Sequence, residues 1–441
     1  MRMIIISNTA IAASILFLSA CGSTEAETNT VSATASASAS ETPAVSTAQA
    51  EAQTRVSVTY ESGVEVFSLL DNQFTSLAEF PTEAEVRAVA GPDARHLYLV
   101  DGANSLTTVL DTGSYAQGHG DHSHFYTREP EMRPDVIEGD VPVHVIGHDG
   151  RVAIFNDGDG TVDVFDEIGL TSGGLRVAEA AAELPHHGVA VPIESGLLLT
   201  ESSDGELPSS IRQTDLDGET VKTYQDACVG LHGEASVDSL VVFGCQDSIT
   251  VIDPQQQTAT SIPNPTDAGE GRIGAFYAGG HTLVGGWNAS AFTVIHLDEQ
   301  EISVVDTDAP VAAITRGDEG EIIVLSTDGV VTVHDDHGNV VGSTAAIDAF
   351  TLPEGHGTQR PALAVAGETL IVSDHAGMQL VTIDLHDYAV TSQHPLEEAP
   401  VGIVVTGLAP VAETHDDHAD EEGEHQDDED EDSDSHEGHD H

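Results

Sequence analysis

The stretch GIVVTG, residues 402–407, is an apolar run of strand length that stops at a glycine. Nothing after it can supply a pairing strand, because residues 413–441 carry 16 acidic side chains and no basic ones among histidines and small polar residues. A buried strand leaves its backbone N–H and C=O groups unsatisfied unless neighbours take them. Its partner must therefore come from earlier in the chain. Seven earlier segments look like it: VRAVAG from 86, VHVIGH from 143, HGVAVP from 187, HGEASV from 232, FYAGG from 276, AAITRG from 312 and LAVAG from 363. Interleaved with them is a second series of alternating apolar runs that end in an acid. These are VEVFSLLD from 64, TTVLDTG from 107, TVDVFDE from 161, IRQTDLDG from 211, ITVIDP from 249, FTVIHLD from 292, VVTVHDD from 330 and LVTIDLHD from 380.

The two series are out of step at the ends. The run at 64 has no opening strand before it, and GIVVTG has no closing strand after it. Joining the two in one blade completes an eighth sheet and removes both free edges. A repeat of about 40 to 55 residues is that of β-propeller blades. No window with helical period competes with the strand pattern. The expected fold is thus all-β, a single propeller closed by its N- and C-terminal strands. Eight blades are expected, with seven as the alternative if one strand is misassigned. Two stacked sandwiches do not fit, because one repeat runs through both halves.

The flanks are of a different kind. Residues 1–20 combine Arg2, an apolar run and small residues ahead of Cys21, the order of an export signal. The ending LSAC resembles a lipobox, so Cys21 is the expected lipidation site, with a plain secretory signal as the alternative. Residues 21–54 then read as a flexible tether, 55–411 as the propeller and 412–441 as a disordered tail. This puts the mature protein outside the cytoplasmic membrane, lipid-anchored, in a periplasm or at a cell surface. There Cys228 and Cys245 are expected to form a disulfide, the alternative being a free pair used as ligand or nucleophile. Thirteen basic against 76 acidic residues give a net charge of −63, which excludes nucleic acid and anionic lipid surfaces as partners. The protein is read as a monomer.

Histidine is the residue that the pattern leaves unexplained. GHGDHSHFYTREPEM, 118–132, crowds His119, Asp121, His122 and His124 into six positions. Others fall where a propeller chain enters its innermost strands: His144, the pair His186 and His187 in ELPHHGVAV, His232 in VGLHGEAS, and His356 with Arg360. All are expected on one side of the ring. A lone histidine there is as well explained by packing, whereas three imidazoles in one loop suggest a metal held by His122 and His124 with His187 or His232. The tail adds His415, His418, His425, His436, His439 and His441, suited to weak, exchangeable capture or to plain solvation. Imidazole donors without a methionine cluster favour Zn(II), with nickel and Cu(II) as competitors.

The exported propeller pattern together with GHGDHSHFYTREPEM, LPHHGVAV, LHGEA and FGCQD resembles the AztD-type periplasmic zinc metallochaperones across most of 55–411. That resemblance implies a propeller that carries zinc and hands it to the solute-binding protein of an ABC importer. The lipid anchor and the His/Asp tail depart from the family pattern and leave open which segment captures the metal first. A scaffold lipoprotein with a metal-buffering tail is the competing class. An enzyme is a third class, with Glu234 in LHGE as a base, but no nucleophile elbow, phosphate loop or dinucleotide fingerprint accompanies it.

Overall fold

The computed structural model describes residues 46–119, 122–166, 176–279, 282–353 and 360–408. Among them there is no α-helix, and eight four-stranded antiparallel sheets account for most of the chain. Every opening run named above forms the first strand of a sheet, and every closing run forms a third strand. The exception in sequence order is the sheet Gly402–Thr406, Arg55–Tyr60, Gly63–Leu70 and Gln73–Pro81. There the last strand pairs antiparallel with the first of the body, Arg55 opposite Thr406 and Thr59 opposite Gly402. That pairing answers the question posed by GIVVTG and makes the fold a β-propeller without a free inner edge.

Apolar clusters hold consecutive sheets face to face. Val64 and Val66 pack with Leu97 and Leu99, Tyr98 with Ile154, Phe155 with Leu199, and Leu198 with Phe243. The series continues through Val242 with Leu283, Val284 with Val324 and Leu325 with Val372. It returns to its start where Ile371 and Leu380 meet Val56 and Val58. Second strands are apolar on both faces because both are covered, as in Leu197, Leu198 and Leu199, all buried. Outermost strands alternate instead, as in Val340–Ala345. Each buried Val, Leu or Ile contributes about 1.5–3 kcal/mol relative to exposure.

The acid at the end of several third strands has a local cause. Asp215 Oδ1 accepts the backbone N–H groups of Asp217 and Glu219 at 3.0 and 2.8 Å. Asp335 Oδ1 does the same for His337 and Asn339, and Asp384 Oδ1 accepts from His386. An aspartate here closes its own turn. Cys228 and Cys245 are joined by a disulfide, with both residues buried.

Two features differ from expectation. Thr47–Gln49, inside the stretch read as a tether, is a strand paired with His122–Thr127. The side chain of Gln49 donates to Thr127 Oγ1 at 2.7 Å, and Tyr115 bonds Ser46 at 3.0 Å. Three residues are too short a run to stand out in sequence. The second difference concerns the histidine-rich segment. It is a hairpin, Ser114–His119 with His122–Thr127, inserted between the third strand Leu106–Asp111 and the fourth strand Glu131–Glu138 of one sheet. First and third strands of an antiparallel sheet run the same way, so this hairpin is rooted at the end opposite the entrances to the innermost strands. The expectation that all the histidines share one side is corrected accordingly.

Candidate metal centre

Where the chain enters the innermost strands, the His187 ring contacts the rings of His144 and His232, one from each of three consecutive sheets. His144 lies on Pro142–His148, His187 just ahead of Ala190–Ile193, and His232 just ahead of Glu234–Val237. Ring centroids are 4.9 Å apart for His144 and His187, and 5.6 Å apart for His187 and His232.

Hydrogen bonds select which nitrogen faces inward. His187 Nδ1 lies 2.6 Å from Asp157 Oδ2, and His232 Nδ1 lies 2.8 Å from the carbonyl oxygen of Gly274. Each Nδ1–H donates to its acceptor, which leaves Nε2 as the free donor atom of both rings. His144 Nε2 is 3.4 Å from His187 Nε2. Two imidazole lone pairs at that separation repel unless a proton or a metal cation lies between them.

The charge balance suits a cation as well. Burial, aided by the neighbouring His187, Arg87 and His232, pushes His144 down to about 3, so its ring is neutral at ordinary pH. The hydrogen bond to Asp157 raises His187 against the effect of burial, and the charges of Asp157 and Glu234 add to it. Glu234 is pushed up to about 7 by burial, only partly offset by Arg87 and His187. Arg87 donates to the carbonyl oxygen of Val143. His187 keeps 41% of its side chain exposed, which leaves an approach from solvent.

Two glycines shape the site. Gly233 has φ +84°, and a Cβ there would sit 2.6 Å from Gly274 O, the acceptor that orients His232. Gly188 leaves room for its neighbour: a Cβ would come within 2.5 Å of His186 Nε2 and 2.6 Å of Thr200 Oγ1. That neighbour explains the pair in LPHHGVAV. His186 is buried, with Nδ1 at 2.8 Å from Leu184 O and Nε2 at 3.1 Å from Thr200 Oγ1, its ring edge-on to Phe155. Both of its nitrogens are occupied, so it is a packing residue.

The other candidates lie elsewhere. His119 and His122 are paired at the hairpin tip by backbone register, and His124 is opposite Gln117 and exposed. Arg360 is exposed, while Cys21, Asp121, His356 and the tail histidines fall outside the described residues. Sequence reasoning missed Asp157 and Arg87. The turn NDGDG at 156–160 follows a second strand, and second strands end where first strands begin, which is the signal that could have found Asp157.

No protein-family model matches the chain. The zinc chaperone AztD of Citrobacter koseri is 24% identical over 380 residues, covering 81% of this chain and 87% of that protein. The crystal structure of Citrobacter koseri AztD is similar with a TM-score of 0.75 at 20% identity, covering 80% of this chain and 98% of the other. The dihydro-heme d1 dehydrogenase NirN shares the fold more distantly, at TM-score 0.54 and 14% identity over 81% of this chain and 76% of its own. In sequence and in fold the chain is AztD-like.

Proposed function

We propose that this protein is an extracytoplasmic zinc chaperone, tethered to the membrane through Cys21, that holds Zn(II) on Nε2 of His144, His187 and His232. It then passes the ion to the solute-binding protein of an ABC importer. The observation that carries the reading is the convergence of three imidazoles, two of them with Nδ1 committed to Asp157 and Gly274. Carboxylate or carbonyl partners of this kind fix ring orientation and raise ligand basicity in zinc sites. The zinc-chaperone name of the Citrobacter koseri relative points the same way.

Three nitrogens leave a tetrahedral ion one open position. A donor from a docking protein can enter there, and the imidazoles are then displaced one at a time without release of free zinc. The exposed edge of His187 is the side from which such a donor arrives. The hairpin histidines, rooted at the opposite end, and the tail histidines serve capture on this reading, not tight holding.

The test combines affinity and transfer. Chelator competition on the full chain is expected to give one tight zinc equivalent that His187→Ala abolishes and that His119/His122/His124→Ala leaves in place. Zinc-loaded protein mixed with the metal-free solute-binding protein and excess chelator is expected to deliver its ion to the binding protein. Loss of that zinc to the chelator would reduce the protein to a metal-buffering scaffold. A second reading rests on Glu234: three imidazoles, an open position and a carboxyl held near 7 also form the layout of zinc hydrolases. Zinc-dependent turnover of an activated ester, lost in Glu234→Gln, would favour it.

A further inference from the structure

We propose a second divalent-cation site at the far end of the strands, on the seam between the sheet Phe276–Gly279 to Glu301–Asp306 and the sheet Val311–Arg316 to Val340–Ala345. It is built where the third strands of two successive repeats end. His296 ends the third strand Ala291–His296 of the first sheet, and His337 sits in the turn after the third strand Val330–His334 of the second. Their ring centroids are 5.8 Å apart.

Between them is a cavity of about 380 Å³ lined by His296, His337, Asp336, Asp298, Glu299 and Glu301. His337 Nδ1 lies 2.5 Å from Asp336 Oδ1, so Nε2 is the nitrogen left for an ion. Ligand atoms of Asp335, Asp336 and His337 lie within 4.8 Å of one another. Asp335 is spent on closing its turn, since both its oxygens accept hydrogen bonds from Asn339 or His337. The donor set is therefore the two imidazoles with the carboxylates of Asp298, Glu299 and Glu301, while Asp336 orients His337.

The guanidinium that acts on Asp336 is that of Arg316, and its N–H groups are already taken by Thr282, Gly320 and Glu321 oxygens. Carboxylates alone would be unremarkable on a chain of charge −63. The pair of imidazoles contributed by two different sheets is what separates this cavity from the general acidic surface. Mixed imidazole and carboxylate donors select zinc, nickel or Cu(II) over calcium and magnesium. The site does not depend on the His144, His187 and His232 centre. It lies where third strands end, whereas that centre lies where first strands begin.

Site-resolved footprinting on the full chain tests this. Histidines are modified with diethyl pyrocarbonate during a zinc titration and read peptide by peptide. His296 and His337 are expected to become protected together, with about tenfold slower modification once zinc exceeds the dissociation constant about tenfold, by mass action. His386 is the control, an exposed single imidazole in a turn with Asp384 and Asp387. It is expected to stay reactive over the same range. In His296→Gln the protection of His337 is expected to vanish, and in His187→Ala it is expected to persist. Protection of His337 that survives His296→Gln, or that His386 matches, would overturn the proposal.

Discussion

The hairpin 114–127 and the His144, His187 and His232 group are two answers to the same composition. The hairpin gathers its histidines by sequence proximity, whereas the other group is gathered only by folding, from positions 88 residues apart at the extremes. In the second group folding orients the donor atoms, because it supplies Asp157 and the carbonyl of Gly274 as fixed acceptors. The hairpin is instead anchored at its root. Buried Asp111 takes hydrogen bonds from Arg95 at 2.7–3.1 Å, from Arg128 and from the backbone of Gly113, and Arg95 stacks over Tyr115.

The largest effect should come from cutting that root. Asp111→Asn leaves the half-buried Arg95 and Arg128 guanidinium groups without their counter-charge, expected to cost about 3 kcal/mol by chemical denaturation, the lower end for breaking a buried pair. Burial pushes the Asp111 carboxyl up, but the neighbouring His96 and the hydrogen bonds from Arg95 outweigh it and hold it below the usual range. A lowered folded pKa stabilises above the unfolded value of about 3.9 and is lost as pH falls through the folded one. Wild-type stability should therefore decline below about pH 4 through this group, and the decline should be smaller in the variant. An equal pH response in both would remove Asp111 from that role.

Next in size is His187→Ala, expected to weaken tight zinc binding by more than about 100-fold, since even outer partners of ligands cost 10–100-fold. Asp157→Asn removes only such a partner and should lie within that range of about 10–100-fold. If Asp157→Asn equalled His187→Ala, the carboxylate would be a ligand itself. Zinc affinity should also fall with acidification, because protons compete for each Nε2. The fall should begin above the ordinary histidine value of about 6.5, as His187 is raised. Undiminished affinity at pH 5 would exclude imidazole ligation.

The smallest effect on zinc should follow His186→Gln. It is expected to cost about 1–3 kcal/mol of stability by stranding the Leu184 and Thr200 partners, with zinc affinity unchanged. A parallel loss of affinity would mean that the two adjacent histidines act as one unit.

Much of this was legible in the residues. The two strand series mark first and third strands in every sheet because a third strand runs out into a turn or loop, and in several sheets an aspartate closes that turn itself. The unpaired ends at 64 and 402 foretold the closing sheet. His144, His187 and His232 could be named from their position in the repeat. Their separation from His186 could not, because adjacent residues on an entering loop point to opposite environments, and Gly188 decides which ring packs inside. The hairpin was misplaced for a related reason. An insertion between third and fourth strands and one between sheets look alike in sequence, yet they emerge at opposite ends of the strands.

Anomalous diffraction at the zinc edge, on crystals of the full chain with one equivalent of zinc, tests the central claim most directly. The account predicts a single strong peak within bonding distance of Nε2 of His144, His187 and His232. A peak on the 119–124 hairpin with those three rings unliganded would contradict it.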